Sequence, residues 1–228
     1  MPTLYRTSAI KKYCQNLLLA FGCFACLVAS TQAMEITGNL QLSGSEAKSA
    51  SIGDAIVYFL PDDKSQAPVD PGEFTLNMVR KQFVPRTLAV PVGSKVNIPN
   101  NDTISHNAFS PSTPNNFDLK YYGRGESDSF IVQGPGVVRI YCNVHYHMVA
   151  YVLGLETPFF TQPDANGNFT LTVPDIPGQL VVWHERTQDH IETIQPGQPN
   201  QIRATLRITK RRLPVHNNKF GRNYRRDR

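Results

Sequence analysis

The sequence predicts an all-β protein built from antiparallel β-sandwiches, on three observations. Short runs rich in β-branched and aromatic residues recur along the chain. Gly, Pro, Asn and Asp separate them, and hydrophobic spacing at a helical period is nearly absent. The 17 prolines and 15 glycines lie mostly between the runs, which favours short strands joined by turns.

Taken in chain order, the first segment is an export signal. Arg6, Lys11 and Lys12 precede the apolar run "LLLAFGCFACLVAS", and "TQA" (31–33) supplies small residues for cleavage after Ala33. A retained anchor is the alternative, but the apolar run falls short of the roughly 20 residues of a comfortable span. "LAFGC" before Cys23 resembles a lipobox, which Phe21 fits poorly. The mature protein is therefore expected in the periplasm. Cys14, Cys23 and Cys26 leave with the signal, so one cysteine, Cys142, remains. Exported cysteines normally pair. A lone one is buried, reactive or metal-bound.

The β runs then follow: "MEITGNLQL", "DAIVYFL", "RTLAVPV", "SKVNIP", "DSFIVQ", "GVVRIYC", "MVAYVLGL", "GNFTLTV", "GQLVVWHE" and "QIRATLRI". "SGSEAKSASIGD" (43–54) and "PDDKSQAPVDPGE" (61–73) read as exposed loops, and "DANGN" (164–168) as a hairpin turn. Charge is uneven. The body (34–202) has 10 basic and 17 acidic residues, whereas 203–228 holds 10 basic residues against Asp227. Residues 211–228 read as a basic disordered tail, because the chain beyond about Leu213 has little apolar surface to offset ordering entropy. Such a tail suits an anionic membrane or an acidic partner. Export makes nucleic acid an unsuitable one.

One run carries chemistry. "RIYCNVHYHMVAYV" (139–152) brings a thiol, two imidazoles and a thioether within seven residues: Cys142, His145, His147 and Met148. Some 36 residues upstream, "VNIPNNDTISHNAFS" presents His106 in a loop. Two imidazoles and a thiolate with a weak axial thioether form the ligand set of an electron-transfer copper site. No motif supports hydrolytic zinc, a Ser/His/Asp arrangement or paired carboxylates, so no enzyme activity is expected. His145 and His147 point the same way in an extended loop, so either can reach a metal. His184 is expected to pack at a strand end, and His190 and His216 stand alone.

The segment 76–155 resembles the cupredoxins, the blue copper proteins. "FVPRTLAVPVGSKVNIPNND", "SHNAFS", "GRGESDSFIV" and "GPGVVRIYCNVHYHM" carry the likeness, and the short Cys-x2-His-x2-Met loop is most similar to that of amicyanin. The resemblance implies a Greek-key β-sandwich and one type 1 copper ion held by His106, Cys142, His145 and Met148, with His147 as alternative ligand. It also implies that Asn107 ties the two ligand loops together near the thiolate. The flanks, 34–75 and 156–210, resemble a carboxypeptidase-regulatory-like β-domain, so the copper domain is expected as an insertion in a second small sandwich. That layout is similar to exported proteins of the methylamine-utilisation-like type. The function implied is single-electron transfer between redox partners. Copper binding and delivery is the alternative.

Overall fold

The computed structural model describes residues 33–195, 197, 201–209 and 216–222. The export signal expected over 1–33 lies outside the described residues except for Ala33, and so do 210–215 and 223–228. Among the described residues no helix is long and apolar enough to cross a membrane.

Seventeen strands run through the described chain. The first seven are β1 (Ala33–Ser43), β2 (Ile56–Pro61), β3 (Glu73–Thr75), β4 (Asn77–Val79), β5 (Gln82–Val84), β6 (Thr87–Pro91) and β7 (Lys95–Pro99). Next come β8 (His106–Ser110), β9 (Phe117–Tyr122), β10 (Ser127–Ile131), β11 (Gly136–Tyr141) and β12 (Val149–Leu155). The last are β13 (Phe160–Thr161), β14 (Asn168–Pro174), β15 (Gly178–Trp183), β16 (His190–Ile194) and β17 (Gln201–Arg207). The fold is all-β, as the alternating runs predict. His106 opens strand β8 instead of standing in a loop.

The strands form four main sheets, β14-β1-β17, β13-β2-β15-β16, β6-β12-β11-β8-β9 and β10-β7-β3, with β4 and β5 as a separate hairpin. The two flanks meet directly: β2 pairs antiparallel with β15 from Pro61–Gly178 to Ile56–Trp183. The strands of 73–155 complete the other two sheets among themselves.

Burial patterns explain the layering. β14 alternates, with Phe169, Leu171 and Val173 inside and Thr170 and Thr172 outside, as a strand with one wet face must. β12 is buried at all seven positions. Ala150 and Val152 face one core with Val96, Ile98, Val138 and Ile140. Val149, Tyr151, Leu153 and Leu155 face another with Ile56 and Trp183. A third core joins Ile36, Leu40, Val57, Phe59, Leu171 and Leu180. Three cores thus separate four stacked layers, and β2 and β12 serve as inner strands with no wet face.

A buried ion pair ties the middle layers. Arg86 Nε donates to Glu185 Oε1 at 3.1 Å, with side chains 13% and 1% exposed. The Arg86 guanidinium also lies 5.5 Å from the Tyr151 ring centre. The hairpin "DANGN" closes on its own aspartate: Asp164 Oδ1 accepts the backbone N–H of Asn166 and of Asn168, both at 2.8 Å. Gly167 takes φ +84°, and a Cβ there would lie 2.0 Å from the Leu40 carbonyl oxygen.

Candidate metal centre

The first donor comes from β8. Asn100, fully buried, shapes the turn before it. Its Nδ2 donates to the carbonyls of Ile104 and Tyr122, both at 3.0 Å, and its Oδ1 accepts the Asp102 N–H at 3.0 Å. Asp102 is thereby set to accept at Oδ2 from the Lys81 N–H at 2.6 Å and to meet His106 Nε2 at 2.9 Å. With Nε2 engaged, His106 presents Nδ1 to the site, 3.8 Å from Cys142 Sγ. The pairing of β8 with β9 changes register between His106 and Ala108, a bulge of the kind that re-aims side chains at sites.

The other donors come from the β11–β12 connection. Cys142 continues the face of β11 that carries Val138 and Ile140 into the core, so it ends that core fully buried, with Met148. The connection folds on itself: the Cys142 N–H donates to the Met148 carbonyl at 3.2 Å, and the Met148 N–H to the His145 carbonyl at 3.0 Å. His145 is half-buried, with Nδ1 turned inside. Its ring lies 5.1 Å from that of His106. Asn107 Oδ1 accepts the Asn143 N–H at 2.8 Å and lies 3.8 Å from Sγ.

His106, Cys142 and His145 thus offer three donor atoms within 4.8 Å of one another. Bonds of about 2.0–2.3 Å to nitrogen and sulfur would place the donors of a trigonal centre about 3.5–4 Å apart, so the donor set fits a metal ion without a large shift. Met148 is buried in the same core cluster as Cys142. His147 is exposed and outside the triplet, its ring 5.8 Å from that of His145.

Electrostatics favour the ligating form of the thiol and the protonated form of His106, so a metal at Nδ1 must displace a proton. Burial pushes the Cys142 thiol up, but the His106 hydrogen bond and the backbone N–H groups around it prevail, and it sits below its usual range. Burial disfavours the charged His106 ring. Its bonds to Cys142 and Asp102 outweigh that and raise it. Thiolate is the form that binds metal, and a carboxylate behind an imidazole fixes its tautomer and orientation.

Sequence reasoning missed Asp102 and Lys81. A histidine with an acid four residues earlier was visible in "NNDTISH", but only the turn built on Asn100 brings the two side chains together. It also assigned no role to His216. The structure stacks that ring on Tyr141, centres 4.2 Å apart and planes 19° apart, and on Tyr146, 4.5 Å and 5°. Within the tail expected to be disordered beyond about Leu213, residues 216–222 hold a turn closed on Asn218, whose Oδ1 accepts the N–H of Phe220 and of Arg222 at 3.0 Å. His184 is buried, with Nε2 3.3 Å from the Ser51 carbonyl.

Among solved structures the chain is similar to a purple cupredoxin from Nitrosopumilus maritimus, at 21% identity and TM-score 0.33, over 36% of this chain and 99% of that one. It is similar to a reduced, Cu(I) form of an amicyanin mutant at 16% identity and TM-score 0.35, over 43% and 98%. A Cu-containing nitrite reductase from Thermus scotoductus gives 24% identity and TM-score 0.36, over 42% of this chain and 27% of that one. No protein-family model matches the chain. No curated protein matches it either.

Proposed function

We propose that this chain is an exported, periplasmic copper protein that passes single electrons between redox partners and transforms no substrate itself. The observation that carries the reading is the triplet of buried His106 and Cys142 with half-buried His145, all donors within 4.8 Å. Thiolate with two imidazoles suits copper among the common metals. One type 1 copper ion, cycling between Cu(I) and Cu(II), would supply the one-electron chemistry.

The chain's own residues do the rest. Cys142 would give the thiolate, His106 the inner imidazole and His145 the outer one, with Met148 as a weak thioether donor. Asp102 orients His106, and Asn107 holds the loops in register. Their burial keeps water out. A site held on two sheet ends and a bonded loop changes little when its charge changes, which is what fast electron transfer needs. His145 is half-buried beside Val144, itself 44% exposed, so it is the natural exit toward a partner. In this reading 76–155 is a cupredoxin-like module inserted in a carboxypeptidase-regulatory-like β-domain, and the basic tail meets an acidic redox partner or an anionic membrane.

Titration of the metal-free protein with Cu(II), followed by electron paramagnetic resonance, tests the reading. It requires saturation at one ion with a narrow copper hyperfine splitting. Saturation with the wide splitting of an ordinary nitrogen and oxygen site would refute it.

A further inference from the structure

We propose that the C-terminal segment 216–222 is a clamp on the ligand loop, in which His216 is a positioning residue that keeps His145 aimed at the centre. The proposal rests on the copper reading above and adds a device to it.

The clamp grips at both ends of the loop. Tyr141 directly precedes Cys142, and Tyr146 directly follows His145. The His216 ring stacks on both, at 4.2 Å and 4.5 Å between centres with nearly parallel planes. One imidazole thus joins the strand end that bears the thiol to the outer arm of the loop. Lys219 fastens the middle: its N–H donates to Asn143 Oδ1 at 3.1 Å. Asn143 is the residue whose own N–H is held by Asn107 and whose Nδ2 donates to Tyr121 Oη at 2.9 Å. The Lys219 ammonium then spans to β9, 2.9 Å and 3.3 Å from the Asp118 carboxylate oxygens and 5.8 Å from the Tyr121 ring centre.

Within the loop, backbone bonds join Cys142 to Met148 and Met148 to His145. The arm 143–146 is gripped from outside as well. Asn107 holds its first residue, and the clamp holds Asn143 and Tyr146. Metal release requires this arm to swing out, and a local opening is rarer when more contacts must break with it. Loss of groups that orient metal ligands typically costs about 10–100-fold in metal affinity, and the clamp is expected to act in that range. The clamp therefore acts on how long His145 stays in place.

The test uses the full-length copper-loaded protein, His216→Ala, His216→Phe and a truncation lacking 216–228. Release of Cu(I) to a competing bidentate chelator is timed, and hydrogen exchange at the amides of 143–147 is measured before copper loading. The truncation and His216→Ala should release copper roughly tenfold faster or more and lose amide protection. His216→Phe keeps a flat ring in the slot and should stay near wild type. Wild-type release and protection in all variants would overturn the proposal, as would His216→Phe releasing as fast as His216→Ala. If no variant binds copper, the copper reading falls separately. The exchange data then decide: lost protection in His216→Ala upholds the clamp, and unchanged protection overturns it.

Discussion

Asn107 accepts at Oδ1 the backbone N–H of Asn143 at 2.8 Å, joining segments 36 positions apart in the chain. The same oxygen lies 3.8 Å from Cys142 Sγ. Both ligand-bearing segments are thus held together by one fully buried amide.

Asn107→Ala should therefore leave the Asn143 N–H without its acceptor. The cost is about 1–3 kcal/mol, and a chain of this size loses about 2–4 °C in Tm for each kcal/mol. Calorimetry of the metal-free protein checks this. An unchanged Tm would mean the loops are held elsewhere.

Asp102 gives a pH dependence. The Lys81 N–H holds its carboxyl down, burial opposes this, and the bonds from His106 and Thr103 help, leaving it at about 2 against an ordinary 3.8. A folded value below the unfolded one means stability present above the ordinary value and lost as pH falls toward 2. His106 has the opposite sign. Its raised value gives stability below its ordinary 6.5 that disappears as pH rises through the folded value. Metal-free Asp102→Asn should flatten the Tm profile on both sides, most clearly between pH about 4 and 2. A profile parallel to wild type would contradict the assignment.

The Arg86–Glu185 pair joins the two inner layers, and both side chains are largely buried. Glu185→Ala leaves a buried guanidinium uncompensated and should cost about 3–5 kcal/mol. Replacing both, Arg86→Met with Glu185→Leu, should cost less than the single change, because it removes the charges together. Denaturant unfolding of the two variants decides it. The reverse order would contradict a desolvated pair.

Backbone strain sits beside the site. Arg80 and Lys81 turn the β4–β5 hairpin at φ 49° and 56°, where a non-glycine residue costs about 1–2 kcal/mol. Glycine adopts that conformation freely but loses about 0.5–1 kcal/mol more chain entropy. Lys81→Gly keeps the N–H that Asp102 accepts, so it should stabilise the protein by about 0.5–1 kcal/mol. Denaturant melts read the sign, and destabilisation would show that the lysine side chain carries more than the turn.

Local pattern made part of this legible. Alternation in "GNFTLTV" shows a half-wet strand, and Cys142, His145, His147 and Met148 within seven residues mark a candidate metal-binding loop without choosing between the two histidines. The stacking was not legible. β2 and β12 are apolar on both faces, and period-2 spacing cannot say which sheet covers which face. β8 escaped because it is buried at all five positions and shows no alternation in "HNAFS", and β9, although "FDLKYY" alternates, is a short run that the same reading passed over. Asp102 meets His106 through a turn rather than a periodic element, and His216 reaches Tyr141 across about 75 residues through ring shape that no spacing encodes.

The central claim is a thiolate-bound copper centre, and the visible spectrum of the Cu(II)-loaded protein tests it most directly. A thiolate on Cu(II) gives intense charge-transfer absorption that nitrogen and oxygen ligands alone do not. The wild type should be strongly coloured, Cys142→Ser colourless yet folded, and His145→Ala bleached. His147→Ala should be close to wild type, and Met148→Leu should stay coloured with a raised potential. A colourless wild type, or a Cys142→Ser protein as coloured as wild type, would contradict the account.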